Sequence, residues 1–213
     1  FGEKGVRLKV AAGVEGRDVA VVASSRLMGG GPFGYMFTGS RVYVYDASAV
    51  LKEPAIGQCD LPRYSSPHYL AVQGKYAYIG LLDFDNGGRL GILDIAGLGG
   101  GVNTACLLIE VDAAPENLGY WPTRPVKAVG FVGSEVYVGT DWELIHLGQT
   151  GEKKGRVSLA DLGLGQGWLV YGVTGIKDYR YMDSNGVEQL RDIVLLSASD
   201  WKTGIKVIAV DVT

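Results

Sequence analysis

Three acidic residues each stand directly before an aromatic residue, about 58 residues apart along the chain. The pairs are Asp83-Phe84, Asp141-Trp142 and Asp200-Trp201. A carboxylate beside a planar ring can bind a sugar or a cationic group, because the electron-rich ring face attracts positive charge. The same pairs also suit a structural role, in which the Asp accepts N–H bonds at a turn and the ring fills a gap between sheets.

Two further tryptophans, Trp121 and Trp168, fall in connections between predicted strands. In up-and-down connectivity, these connections lie on the same face as the Asp-aromatic turns. We therefore expect one acidic and aromatic face. Its candidate ligand-binding residues are Asp83, Phe84, Trp121, Asp141, Trp142, Trp168, Asp200 and Trp201.

The segment DFDNGG (83–88) contains part of a calcium loop, with Asp83, Asp85 and Asn86 as oxygen ligands. It lacks the terminal acidic ligand, and a tight turn at Asn86-Gly87 accounts for the same residues. No familiar nucleophile, phosphate-binding or zinc motif occurs in the sequence. The sequence therefore predicts a non-enzymatic chain with no cofactor, and calcium is the one metal that the pattern suggests.

The pairs recur because the chain itself repeats. Four segments of alternating apolar residues begin at Arg17, Lys75, Ser134 and Arg191, about 58 residues apart. Alternation with period two between glycine-rich turns is typical of antiparallel strands. The sequence predicts an all-β chain, namely a single β-propeller domain of four-stranded antiparallel blades. The predicted blades span residues 6–61, 67–112, 125–162 and 168–213, with long loops at 29–40 and 177–190.

The last predicted blade has three strands and lacks its outer strand, so one sheet edge is expected to be unpaired. Such an edge invites a strand from a neighbouring molecule, and head-to-tail addition propagates into a fibre. Alternatively, the N-terminal residues pair there in the same molecule, or the chain is truncated. The predicted assembly edge consists of Lys206, Val207, Ile208, Ala209, Val210 and Asp211, with Phe1 and Gly2 as strand donors.

The stretch AVQGKYAYIGLLDFDNGGRLGILDIAG (71–97) resembles the LVIVD-type repeat of β-propeller proteins. The residues that carry the resemblance are Gly74, Tyr76, Ala77, Tyr78, Ile79, Leu90, Ile92, Asp94 and Ile95. The likeness is partial over 42–48 and 207–213, and poor in the third unit. The resemblance implies a secreted or surface propeller of bacteria or archaea, and it implies no particular reaction.

Composition and charge argue against some classes of binding partner. A net charge of −3 gives no electrostatic drive toward nucleic acid. No run approaches the roughly 18 apolar residues of a membrane span. The start at Phe1 rather than Met indicates processing, and Cys59 and Cys106 are either free thiols or one disulfide.

These patterns favour an extracellular or cell-surface module with a structural or adhesive role, which self-associates through its incomplete blade. The first alternative is a carbohydrate-binding propeller that recognises glycans through the acidic and aromatic face. The second is a propeller hydrolase or lyase, because paired carboxylates assemble in space and leave no sequence motif.

Overall fold

The computed structural model consists of strands and turns, and no residue that it describes is helical. The prediction of an all-β chain is confirmed. The description leaves out residues 1, 15, 32–33, 49–54, 63–64, 84–86, 97–106, 113–125, 166 and 201. It also leaves out the side chains of residues 2–6, 26–31, 34–38, 83, 87 and 110–112.

The chain divides into two compact units, Phe1–Val126 and Lys127–Thr213. The first unit holds two sheets in which each strand pairs antiparallel with the next along the chain. One sheet contains β1 (Gly2–Val14), β2 (Arg17–Gly31), β3 (Gly34–Asp46) and β4 (Gly57–Leu61). The other contains β5 (Ser65–Gln73), β6 (Tyr76–Asp83), β7 (Gly87–Asp94) and β8 (Leu107–Asp112).

The core of the first unit follows from the alternation of the strands. Successive side chains of a strand point to opposite faces, so every second residue can be buried on one face. In β2, the residues Val19, Val21 and Ala23 are buried in this way, and Val42 and Val44 of β3 lie in the same cluster. Ile79 and Leu81 of β6 also belong to it, so the two sheets share one core.

The second unit holds a four-stranded sheet and a three-stranded sheet with the same up-and-down order. The four-stranded sheet contains β9 (Ala128–Val132), β10 (Glu135–Gly139), β11 (Glu143–Leu147) and β12 (Lys153–Ser158). The three-stranded sheet contains β13 (Leu169–Met182), β14 (Glu188–Asp200) and β15 (Gly204–Asp211). The segments that begin at Arg17, Lys75, Ser134 and Arg191 supply the second strand of each sheet.

The two predicted loops prove to be extensions of strands. Residues 29–40 belong largely to β2 and β3, and residues 177–190 form the tip of the β13–β14 hairpin. In this tip the rings of Tyr179 and Tyr181 stack with centroids 6.5 Å apart. The turn is closed by Asp183, whose Oδ1 accepts N–H bonds from Asn185 and Val187 at 2.9 Å. These hydrogen bonds hold the pKa of Asp183 below its usual value.

Glycine permits the tight turns that join the first two strands of two sheets. Gly74 has a φ of 55° and Gly133 a φ of 57°, a left-handed conformation that other residues adopt at a cost. Both turns have two residues, because Gln73 pairs with Tyr76 and Val132 pairs with Glu135. The turn predicted at Gly74-Lys75 is confirmed.

The two sheets of the second unit approach each other closely at glycines of β9 and β10. A Cβ atom on Gly130 of β9 would lie 2.8 Å from the carbonyl carbon and oxygen of Val173 in β13. Gly139 of β10 lies similarly close to the Val170 and Val173 side chains. Because backbone atoms cannot move aside as a flexible side chain can, any larger residue at position 130 must push the sheets apart.

We therefore expect Gly130→Ala to destabilise the protein by about 1–3 kcal/mol through overpacking. The matched control is Gly155→Ala, since Gly155 is an exposed residue of β12 where an added Cβ atom would meet nothing within 4 Å. The control should change the free energy of unfolding by less than about 0.5 kcal/mol. Urea denaturation measures both, and an equal effect of the two substitutions would contradict the close approach.

Cys59 lies in β4, is 1% exposed and forms a disulfide. The one other cysteine of the sequence, Cys106, lies outside the described residues. Of the two states that the sequence left open for Cys59, the structure therefore shows the oxidised one. A disulfide stabilises the fold chiefly by restricting the unfolded chain.

Reduction should consequently lower the free energy of unfolding by about 2–4 kcal/mol. Thermal denaturation with and without a phosphine reductant measures this change. The Cys59→Ala variant should start from the lower stability and should not respond to the reductant. Two free thiols in the unfolded, unreduced parent protein would show that the bond is absent.

Candidate functional site

The outer edge of β15 is the first candidate site. β15 pairs with β14 from Gly204 opposite Asp200 to Asp211 opposite Ile193. On its other side, no strand of the described chain pairs with it. Two large apolar side chains of the strand face solvent, because Ile205 is 77% exposed and Val207 is 65% exposed. The predicted assembly edge is therefore an exposed sheet edge in this structure.

The direction of each N–H group along β15 follows from one hydrogen bond. The N–H of Val212 donates to the carbonyl oxygen of Asp192 at 2.9 Å, so it points toward β14. N–H directions alternate along a strand, and the β14–β15 pairing has no bulge. The N–H groups of Val207, Ala209 and Asp211 therefore point outward, away from β14.

The charged residues of β15 leave this edge unprotected. Natural edge strands often carry a lysine that discourages further pairing. Here Lys206 Nζ lies 4.7 Å from the centre of the Trp168 ring. Asp211 lies 3.5 Å from Arg191 and accepts an N–H bond from Thr213, which lowers the pKa of Asp211. Both charges are engaged within their own molecule.

The predicted strand donor occupies a place in the first sheet. Gly2 pairs with Leu27, and Gly5 pairs with Ser24, so these residues continue β1. Phe1 lies outside the described residues. Donation of residues 1–5 to a neighbouring molecule would therefore require them to leave β2.

The second candidate site is a cavity of about 460 Å³ that brings together three residues of the predicted acidic and aromatic face. These residues are Asp141, Trp142 and Trp168. Glu143 and Ser158 also line the cavity. Trp142 is 37% exposed and Trp168 is 8% exposed, so one ring borders solvent and the other is largely enclosed.

A buried threonine positions the Asp141-Trp142 turn. Thr140 is fully buried, and its Oγ1 accepts N–H bonds from Trp142 at 3.3 Å and from Glu143 at 3.2 Å. The Trp142 carbonyl oxygen accepts an N–H bond from Leu159 at 2.7 Å, which ties the turn to the connection after β12. That connection leads to Trp168.

Each carboxylate of the cavity lies near a cation that is not part of the cavity lining. Asp141 Oδ2 lies 3.9 Å from Lys127 Nζ, and Glu143 Oε1 lies 3.7 Å from an Arg156 nitrogen. These separations exceed the usual length of a direct hydrogen bond. Two carboxylates, those of Asp141 and Glu143, thus line one cavity. The alternative that the protein is a hydrolase or lyase stays a prediction.

Asp200 has the structural role that the sequence offered as an alternative. Its Oδ1 accepts N–H bonds from Thr203 and, at 2.6 Å, from Lys202. Its Oδ2 accepts the Thr203 hydroxyl at 2.7 Å. The pKa of Asp200 is lowered mainly by the hydrogen bonds that it accepts from the Thr203 hydroxyl and N–H groups. This carboxylate closes the β14–β15 turn.

The remaining predicted site residues are not described. Phe84, Trp121, Trp201 and the calcium candidates Asp85 and Asn86 lie outside the described residues, as does the side chain of Asp83. Within the part of the chain that the structure describes, no group of three or more His, Cys, Asp or Glu side chains is placed to hold a metal ion.

Sequence reasoning missed a polar cluster on β10, β11 and β12. Glu135 lies 2.6 Å from His146 Nε2 and accepts hydrogen bonds from Lys154 Nζ at 2.6 Å. The His146 ring stacks on Tyr137 with centroids 4.6 Å apart. His146 and Tyr137 also line a cavity of about 400 Å³, whose lining includes Asp211 and Thr213. Only the strand register places these residues together, so the sequence carried no local signal for them.

No model of a known protein family matches the chain, and no curated protein matches it either. The resemblance to LVIVD-type repeats stays a prediction. None of the described segments is a helix with the length and apolar character needed to cross a membrane.

The Glu135 cluster gives a pH prediction. The hydrogen bond from Lys154 is the main cause that holds the pKa of Glu135 below 4.5. A lowered pKa stabilises the fold above about pH 4.5, and this contribution is lost as pH falls through the folded-state pKa. Glu135→Gln should lower the free energy of unfolding by about 0.3–1 kcal/mol at pH 7.

Urea denaturation at several pH values should show this difference shrinking below pH 4.5. Glu188→Gln is the control, because it removes one equal charge from the exposed pair with Arg180. A difference for Glu135→Gln that stays constant down to pH 3 would contradict the role assigned to Lys154.

Proposed function

We propose that this protein is a non-catalytic structural or adhesive module that assembles by adding a strand from a neighbouring molecule to the outer edge of β15. The observation that carries the proposal is the three-stranded last sheet, whose β15 is paired on one side only among the described strands. The added strand would satisfy the outward N–H groups of Val207, Ala209 and Asp211.

Burial supports the same assembly. An added strand would shield part of Ile205 and Val207, which are the most exposed large apolar residues of the strand. Removing apolar surface from water stabilises association by about 25 cal/mol per Å². Backbone hydrogen bonds would supply the remaining attraction and determine the register, as in other cases of strand addition.

The finer architecture is part of the proposal. The up-and-down sheets would be the blades of an LVIVD-like propeller, and the three-stranded sheet would be its incomplete last blade. The disulfide of Cys59 supports an extracellular or cell-surface location, because disulfides persist in oxidising compartments. Addition of one molecule to the next does not close on itself, so the product would be a filament.

Ala209→Pro tests the edge directly. Proline removes the outward N–H of residue 209, which bonds no other described strand, and should leave the β14–β15 hydrogen bonds intact. We expect the parent to form filaments by electron microscopy and the variant to stay monomeric by analytical ultracentrifugation. Ala209→Thr keeps the N–H group and the strand preference, so this control should assemble like the parent.

Circular dichroism and thermal denaturation should show that Ala209→Pro still folds. Filaments formed equally by Ala209→Pro and the parent would contradict the use of this edge, as would a parent that stays monomeric at high concentration. Deletion of residues 1–5 tests the donor separately. Loss of assembly would identify these residues as the donor strand, whereas unchanged assembly would assign donation to another segment.

A further inference from the structure

We propose that the cavity between Trp142 and Trp168 binds a small organic cation with apolar substituents, of the methylated ammonium class. This site goes beyond the assembly function and does not depend on it. The residues that carry the proposal are Trp142, Trp168, Asp141 and Glu143, all of which line the cavity.

The aromatic walls suit a cation. The face of a tryptophan ring carries negative electrostatic potential and attracts an ammonium group more strongly than the other aromatic rings do. Trp168 already holds one such group, since Lys206 Nζ lies 4.7 Å from its ring centre. Trp142 borders solvent and can contact a ligand as it enters. Both rings line the cavity, so each can contact methyl groups on a charged nitrogen.

The charges of the lining are complementary to a cation. Asp141 and Glu143 contribute carboxylates, and none of the described lining residues is Lys or Arg. Lys127 and Arg156, which lie 3.9 and 3.7 Å from these carboxylates, stand outside the lining. The rest of the wall is mainly apolar and includes the buried residues Leu159 and Leu164. A volume of about 460 Å³ falls within the usual range of small-molecule sites.

The same lining is poorly suited to a sugar. A sugar ring needs several hydrogen-bond donors and acceptors around its hydroxyl groups, whereas this wall offers few polar groups besides the two carboxylates. The Ser158 hydroxyl donates to Asp161 Oδ2 at 2.7 Å and accepts the Asp161 N–H at 3.1 Å. Of the two ligand classes that the sequence indicated, the geometry thus favours the cation.

Isothermal titration calorimetry with choline and with its neutral isostere 3,3-dimethylbutan-1-ol tests the proposal. Choline should bind about tenfold more tightly than the isostere, because cation–π attraction and the carboxylates act only on the charged ligand. Trp142→Ala should weaken choline binding about tenfold, and Glu143→Gln should weaken it severalfold. Both residues are at the surface, so both variants should fold.

The controls are Tyr171→Ala, which removes an exposed ring outside the cavity lining, and Glu188→Gln, which removes a charge elsewhere. Neither should change choline binding. Equal affinity for choline and the isostere would overturn the cation assignment, as would binding of methyl glucosides or oligosaccharides without choline. Failure of every ligand to bind would overturn the site itself. None of these results alters the filament test.

Discussion

The backbone of β15 is paired along one side only among the described strands, and this constraint has consequences for the whole molecule. An antiparallel sheet satisfies its N–H and C=O groups through neighbouring strands, so each sheet ends in two edges that water, a side chain or another strand must cover. β15 is long, regular and partly apolar. Its edge therefore differs from β12, an exposed edge strand with a register shift and charged residues such as Lys153, Lys154 and Arg156.

Close packing between sheets depends on a second constraint, the absence of side chains where strands approach. Gly130 of β9 meets Val173 of β13 in the second unit. A Cβ atom at this position would lie 2.8 Å from backbone atoms of Val173. Glycine thus serves more than the turns, because at Gly130 it permits the close approach of β9 and β13.

Much of the fold could be predicted from the sequence because its signal is local. The alternation of Ala77, Ile79 and Leu81 predicts one buried face, and Gly74 predicts a turn. The tip at 177–190 was predicted as a loop because its polar residues obscure the pairing of Tyr179 with Arg191. For the site, simple connectivity predicts Trp142 and Trp168 on one face, and both residues line one cavity. The cluster of Glu135, His146 and Lys154 depends on a three-strand register, which periodicity alone does not supply.

The two candidate sites meet at the contact between Lys206 and Trp168. Lys206 is the only lysine of β15, and an extended lysine at a sheet edge normally repels an incoming strand because its charge would have to be desolvated. The Trp168 ring attracts this ammonium group to the sheet face, which leaves the outer edge without its usual protection. The same ring lines the aromatic cavity. The Lys206–Trp168 contact therefore bears on both proposals, because it draws the lysine of β15 toward a ring that also lines the cavity.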